Sequence, residues 1–414
     1  MIFKMAWRNL WRHTRRTLIT CVTVGFGIWL AVTLSAVGEH SYSTTIDTGA
    51  RMGAGHVTVQ PDGYLDKPSL ASRIDGVAAL RDKAAALPHV NSASPRITGQ
   101  AIFTKAGNSR GGMLIAIDPR YESASSSYFV EAMHGPHAEG ALFETPDAPQ
   151  IVLGRTMADY LDASVGKKLV YTTTDKDGDM VAGAGRVGGI FETGVPEIDA
   201  GVVLVSIDKA REVLGYGPDE ATLIAVTVDD QHAAQEVRDA LAPLAPKGAS
   251  ALTWRETMAD LVGFIALDRA SNQFFQFFLG LLIAAGILNT ILMSVLERKR
   301  EFGIMMAIGM SPWRLFNIVV AESFFIGLVG LALGVVFTTP WAIYLDVHGV
   351  DLSSMYGENS TMGGVVMDPI MRFHMTGQLL AGIVGTMFTL TLLAGVYPAI
   401  KAGRVPPVES IRMI

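Results

Sequence analysis

Four stretches of this chain stay apolar for the width of a bilayer. Residues 17–38 run 22 positions without Asp, Glu, Lys or Arg, 271–296 run 26, 323–345 run 23, and 373–400 run 28, though the last contains His374. A helix crosses the hydrocarbon core with roughly 20 mostly apolar residues. Each stretch therefore predicts a membrane span, the third extended to 315–345 with Glu322 near its start. Between the first two spans the pattern changes. Apolar alternation and β-branched residues predict strands at 56–60, 112–117, 168–173, 187–191, 201–206 and 223–228. A period of 3.6 predicts helices at 74–87, 154–161, 207–214 and 231–241. Turn clusters such as Pro61-Asp62-Gly63 and Asp177-Gly178-Asp179 separate them.

The expected fold is an α-helical membrane protein with four transmembrane helices in a 1 + 3 arrangement. A large α+β extracytoplasmic domain, residues 39–270, is inserted between the first and second. The expected lobes of that domain cover about 39–150 and 151–250. After residue 250 the pattern turns helical and runs on into the second span, which predicts a stiff helical link there.

Composition narrows the class. Half of the residues are hydrophobic and 17% are charged, against roughly 25% charged in soluble proteins, which disfavours an ordinary soluble enzyme. The single cysteine, Cys21, excludes an internal disulfide framework and a multi-cysteine zinc site. Residues 1–16 are basic, as a signal peptide's start would be, but the apolar run that follows exceeds the ~7–15 residues of a signal core. An uncleaved anchor is expected.

Charge gives the orientation. Residues 1–16 carry five basic side chains and no acidic one; 297–314 and 401–414 are also net basic. Residues 39–270 carry 20 basic and 31 acidic side chains, and 346–372 carry one and four. Basic flanks mark the cytoplasmic side. Both termini and the 297–314 link are thus expected in the cytoplasm, with 39–270 and the loop 346–372 outside. Trp7 and Trp11 alternate with Arg8 and Arg12, the pattern of an amphipathic elbow at the cytoplasmic interface.

Chemical motifs are sparse. Gly183-Ala184-Gly185-Arg186-Val187-Gly188 matches a dinucleotide fingerprint in spelling but leads into a strand pattern, so a hairpin or bulge is expected. His134 and His137 share a Gly/Pro loop with no third metal ligand in view, and read as solvated loop histidines. No nucleophile elbow, zinc-protease motif or nucleotide-hydrolysing loop is present, so no catalytic residue and no metal site is expected. Glu322, and more weakly Asn289, are polar candidates within the membrane; pairing of Glu322 with Arg8, Arg12 or Arg15 is expected. Gly327, Gly330 and Gly334 in the third span, and Ala381 and Gly385 in the fourth, suit close helix packing.

The stretch 289–323 is the most informative. A span ends in Glu297-Arg298-Lys299-Arg300-Glu301, followed by the short apolar run Phe302-Gly303-Ile304-Met305-Met306-Ala307-Ile308-Gly309-Met310. Ser311 and Pro312 then read as a helix cap and first-turn proline. A short apolar-faced helix between charged flanks suits docking into a partner's groove.

This stretch resembles the FtsX-like, or MacB-type, permease family of ABC transporters, and most closely its lipoprotein-releasing LolC/LolE branch. Trp7-Arg8-Asn9-Leu10 with Arg16-Thr17-Leu18, Val152-Leu153-Gly154 with Val165-Gly166, Gly189-Ile190-Phe191 with Asp199, and Tyr397-Pro398-Ala399 with Pro407 to Arg412 are similar to other parts of that family. The resemblance implies an inner-membrane permease with no ATPase of its own. ATP and Mg would act through a partner cytoplasmic ABC ATPase dimer. A second permease subunit, identical or paralogous, would complete the assembly. The coupling contact would lie at Glu297, Arg298, Arg300, Glu301, Phe302, Gly303, Met306, Ala307, Gly309 and Ser311. Closing of the ATPases would be relayed through the helices to the outer domain, a mechanotransmission cycle. In the lipoprotein-releasing branch the cargo is a lipoprotein handed to a periplasmic carrier, with membrane lipid but no nucleic acid among the partners. The alternatives are efflux of a peptide or small amphiphile, and regulation of a cell-wall hydrolase.

Overall fold

Burial in the α+β domain follows the period of two that β-strands impose. Val57, Val59, Ile97, Phe103, Leu114, Val203, Val205, Ile224 and Val226 all point to one face of a single sheet and form one core. Helices Val77–Ala85, Arg155–Tyr160, Ile207–Leu214 and Ala234–Leu241 cover that face with Leu80, Met157, Ala210 and Val237. Each fully buried Val, Leu, Ile, Phe or Met side chain of this kind stabilises the fold by about 1.5–3 kcal/mol. The opposite face carries Ile115, Ile117, Val152, Phe191 and Leu204, covered by Phe129 and Val130 of helix Tyr128–Ala132.

The computed structural model describes residues 2–351, 361–362, 364–368 and 370–404. These fall into two units: a helical one of residues 2–41, 266–351 and 370–404, and an α+β one of residues 42–265, 361–362 and 364–368. The last stretch of the family-like pattern, Pro407 to Arg412, lies outside the described residues, as do residues 352–360 of the loop 346–372 and 405–414 of the tail.

The sheet of the α+β unit has ten strands. Their order is Ala249–Thr253, Val57–Pro61, Leu223–Val228, Val90–Lys105, Asn108–Ile117, Val202–Ser206, Gln150–Gly154, Met180–Phe191 and Glu139–Gly140; Lys168–Thr174 bridges Val90–Lys105 and Met180–Phe191. Two pairings are parallel, Asn108–Ile117 with Val202–Ser206 and Gln150–Gly154 with Met180–Phe191. All six expected strands are present, Leu223–Val228 with the expected ends and the other five with one or both ends shifted, and Gly183 to Gly188 lies inside a strand. The lobes expected at 39–150 and 151–250 are not separate sheets. Strand Val57–Pro61 sits between Leu223–Val228 and Ala249–Thr253, so both stretches alternate in one sheet. The 16-residue strand Val90–Lys105 is an addition to the expected set.

His56 is 2% exposed. Its Nδ1 accepts a hydrogen bond from the Val228 N–H at 3.4 Å, and its Nε2 lies 3.6 Å from Asp47. Burial lowers its pKa from 6.5; the nearby charges of Asp47 and Asp230 pull upward and Arg51 downward, without reversing the shift. The unfolded chain therefore binds this proton more readily than the folded one, so stability rises with pH and falls as pH drops below about 6.5. His56→Gln should flatten the pH dependence of unfolding between pH 5 and 7. An unchanged slope would show that other groups set it.

The helical unit contains helices Ile2–Leu10, Pro312–His348 and Gly377–Gly403, with the adjoining parts of Thr14–Met52 and Ala259–Glu297. Among the described residues, four helices are long and apolar enough to cross a membrane. At 1.5 Å per residue, 39 residues reach about 58 Å against a core of about 30 Å. Thr14–Met52 and Ala259–Glu297 thus extend well beyond the expected spans 17–38 and 271–296. The helical run expected after residue 250 is one uninterrupted helix from Ala259. Gly330 and Gly334 let the third span approach the first: a Cβ on them would lie 2.5 Å from Val24 and 2.9 Å from Ile28. Gly385 does no such work within the chain, since a Cβ there meets nothing within 4 Å. The close approach in the fourth span is at Gly395, against Ser323.

Candidate functional site

Helix Ile2–Leu10 ends at a 3-10 turn, Trp11–His13, before Thr14–Met52 begins. The Thr17 hydroxyl donates to the Leu10 carbonyl at 2.6 Å and closes this corner. Ala6 and Leu10 are buried, while Phe3, Trp7 and Trp11 are exposed. Trp7 and Phe3 reach Phe325 of the third span with ring centroids 5.2 and 6.0 Å away. An elbow of this make-up has one apolar face packed and another with aromatic rings left outward.

The elbow is pinned by a polar network. The buried Glu322 carboxylate accepts from Asn9 Nδ2 at 3.0 Å and from Arg298 Nη1 at 3.0 Å. Arg298 Nε donates to Glu301 at 3.1 Å, and Arg12 Nη1 reaches the other Glu301 oxygen at 2.6 Å. Arg16 forms a two-pronged pair with Glu297 at 2.7 and 3.0 Å. The expected partners of Glu322, namely Arg8, Arg12 and Arg15, are therefore corrected: Arg298 and Asn9 take that place, and Arg12 goes to Glu301. Asn9 was missed, although a signal existed. It shares the buried face of a 3.6-period helix with Ala6 and Leu10, where a polar residue needs a partner. The Arg298–Glu322 pair is the strong member because both groups are buried; the exposed Arg12–Glu301 and Arg16–Glu297 pairs are screened by water and contribute little. Burial pushes the Glu301 carboxyl up, but hydrogen bonds from Arg298 and Arg12 outweigh it and hold the group below its ordinary value.

Arg298 also starts the link between the second and third spans. It occupies the cap position of helix Lys299–Ala307, with its guanidinium 4.9 Å from the Phe302 ring. Phe302 and Gly303 are buried and Met306 is half-buried, so these residues anchor the link. The face left outward holds Ile304, Ala307, Ile308 and Gly309, then Ser311 and Trp313. Ile308 is 82% and Trp313 68% exposed. Trp313 stacks on Phe316 at 4.9 Å and 8°, which fixes the indole in place. Gly309 makes the turn with φ +102°, a backbone conformation that only glycine adopts without strain. Ser311 stands at the N-cap and Pro312 at the first turn of Pro312–His348 as expected, but the cap is made by backbone alone: the Ser311 carbonyl accepts from Arg314 and Leu315. Arg300 is exposed beside this face.

Asn289 is exposed on the second span, while its neighbour Thr290 shares a 3.0 Å hydrogen bond with Thr20 of the first. His134 Nδ1 lies 2.8 Å from the Val130 carbonyl, and the His137 carbonyl accepts from Arg155. Among the described residues no three or more His, Cys, Asp or Glu side chains cluster as metal ligands.

The site is thus an outward-facing apolar knob, held by buried Arg298 and Phe302, at the basic end of the helical unit. Comparison with known proteins places that architecture. Residues 17–244 match the MacB-like periplasmic core domain, and residues 274–407 match the FtsX-like permease C-terminal family. The chain belongs to the family of permeases that join these two parts. It is 25% identical over 99% of its length to a protein of Marinobacter nauticus named macrolide export ATP-binding/permease protein MacB, and spans 60% of that relative. It is 26% identical over 78% of its length to the lipoprotein-releasing system transmembrane protein LolC of Neisseria meningitidis serogroup B, and spans 78% of it. The crystal structure of the periplasmic region of MacB from Actinobacillus actinomycetemcomitans matches 51% of this chain and 94% of its own, at 16% identity and a TM-score of 0.35.

Proposed function

We propose that this chain is the permease subunit of an inner-membrane ABC transporter that works by mechanotransmission and releases lipoproteins to a periplasmic carrier. The observation that carries the coupling part is the exposed knob of Ile304, Ile308 and Trp313 on a link held in place by buried Arg298 and Phe302. Apolar side chains this exposed, flanked by Arg300 and Arg314, suit the groove of a soluble ATPase. ATP and Mg act in that partner. Two permease subunits and two ATPases make the working assembly, with both termini and the knob in the cytoplasm. Closure of the ATPases moves the links, and the long helices Thr14–Met52 and Ala259–Glu297 carry the motion onward. The likeness of residues 289–309 to the lipoprotein-releasing branch, and the match to LolC over most of that relative's length, support the choice of cargo. Export of a small amphiphile is the second reading, favoured by the relative named for macrolide export.

Ile308→Asp and Trp313→Ala should each weaken ATPase binding on the order of 30-fold, the loss of a central aromatic or aliphatic anchor. Insertion and thermal stability should stay unchanged. Binding by co-purification that survives both changes would remove the knob from the contact. Reconstitution with the ATPase and a lipidated or unlipidated substrate then separates the cargo readings. ATP-dependent release of the lipidated form alone supports the first; release of neither overturns it.

A further inference from the structure

The face of the sheet opposite the main core is not fully covered. A cavity of about 370 Å³ opens there within the α+β unit, floored by Gln60, Leu223, Thr98, Gln100, Met113 and Ile115. These come from four adjacent strands, with Thr98 opposite Ile115 and Gln100 opposite Met113. The loop around Tyr64 and Leu70 roofs the space, and Gly53, Ala54 and Thr257 close one side. The volume is in the range of small-molecule sites and the walls are mostly apolar.

One polar group stands out in this apolar space. Gln60 is 3% exposed overall and lines the cavity, so the access its side chain keeps is to this space. Its carboxamide can both donate and accept toward an occupant. The nearby backbone groups are, by contrast, already taken. Strand Val90–Lys105 changes partner here, from Leu223–Val228 to Lys168–Thr174. In the gap, Tyr64 Oη donates to the Thr98 carbonyl at 2.8 Å and Thr173 Oγ1 to the Gln100 carbonyl at 2.7 Å; the Thr98 N–H donates to Thr222 Oγ1 at 2.9 Å. An extended peptide adding as a strand would find these groups occupied. The walls are also preformed: Arg96 donates to the Gly53 carbonyl while held by the buried Glu122 at 2.6 and 2.9 Å.

We propose that this cavity binds a single-chain amphiphile: an apolar body of roughly a dozen heavy atoms with a neutral amide, ester or carbonyl head that meets Gln60. The carboxamide both donates and accepts, so it recognises such a head without a charge. Gly53 and Ala54 directly follow the helix ending at Met52, and Thr257 precedes the helix starting at Ala259. An occupant therefore touches both points where the long helices meet the domain. The site stands independently of the ATPase and lipoprotein readings.

The test uses the full chain in lipid nanodiscs and two photoreactive probes. One is decanamide carrying a diazirine at mid-chain; the other is a phosphatidylcholine with the same group on one acyl chain. Irradiation and peptide mapping should place label on segments 60–70 and 98–115, competed by unlabelled decanamide. Label from the free amide alone identifies a soluble amphiphile as the source, and label from the phospholipid identifies a bilayer chain; either supports the site. Met113→Trp should abolish this label and leave that on the membrane helices unchanged. Gln60→Leu, close in size, should raise the half-saturating decanamide concentration about 5–10-fold. Absence of label in those segments with both probes overturns the proposal. So does label that neither unlabelled decanamide nor Met113→Trp reduces. An unchanged half-saturation in Gln60→Leu overturns the assigned role of the carboxamide.

Discussion

Arg298→Ala should destabilise the helical unit by about 3–5 kcal/mol, the cost of leaving one member of a buried ion pair uncompensated. Glu322 would keep only the Asn9 amide, 3.0 Å away, and would have to remain buried. Arg298 holds two carboxylates through separate nitrogens, so its loss also loosens Glu301 and the corner it secures with Arg12. Glu322→Gln should cost less, because a carboxamide there leaves Arg298 still paired with Glu301. The double change Arg298→Met with Glu322→Leu should recover most of the loss, since apolar residues of similar volume replace a buried pair at little cost. Thermal unfolding in detergent measures all three. A single Arg298→Ala loss below about 0.5 kcal/mol would place the pair in the solvated class.

Gly395→Ala should destabilise the packing of the third and fourth spans by about 1–3 kcal/mol, and Gly395→Leu by more. A Cβ on Gly395 would lie 1.8 Å from Ser323 Oγ and 2.6 Å from Ser323 Cβ, far inside contact distance. Ser323 has little freedom to retreat, being fully buried with its hydroxyl donating to the Val319 carbonyl at 3.2 Å. Ser323→Gly in the Gly395→Ala background should restore stability, because it removes both clashing atoms. Gly385→Leu, ten residues away on the same helix, meets open space and should leave the unfolding of the isolated chain unchanged. Equal losses at 385 and 395 would show that the Ser323 contact does not set the cost, since helix propensity alone favours replacing either glycine by up to about 1 kcal/mol.

These two predictions also mark how far the sequence can be read. Four spans were legible because apolar length is a property of composition alone. Their ends were not, because helices Thr14–Met52 and Ala259–Glu297 continue into residues whose mixed polarity resembles any surface helix. The strand Val90–Lys105 was hidden by muted alternation: its core-facing positions include Ala93, Pro95, Gly99 and Ala101, small or turn-like residues that read as a loop. Ser311 and Pro312 were placed correctly since a cap is local. The partner of Glu322 was not, because Arg298 lies 24 residues and Asn9 313 residues away, and no spacing rule reaches that far. Likewise, Gly385 and Gly395 are alike in sequence; only the facing Ser323 tells them apart.

The interleaved sheet has a consequence for how the protein is made. Val57 pairs with Thr253, so strand Val57–Pro61 emerges early but finds its second neighbour only when the far end of the domain arrives. At ~5–20 residues per second, the roughly 200 residues between them take about 10–40 s to synthesise. Through that interval the first strand stands with open edges and Val57 and Val59 uncovered, while the preceding apolar helix has already been delivered to the bilayer. The nascent domain thus spends much of its biogenesis as a tethered, incomplete sheet with an open edge.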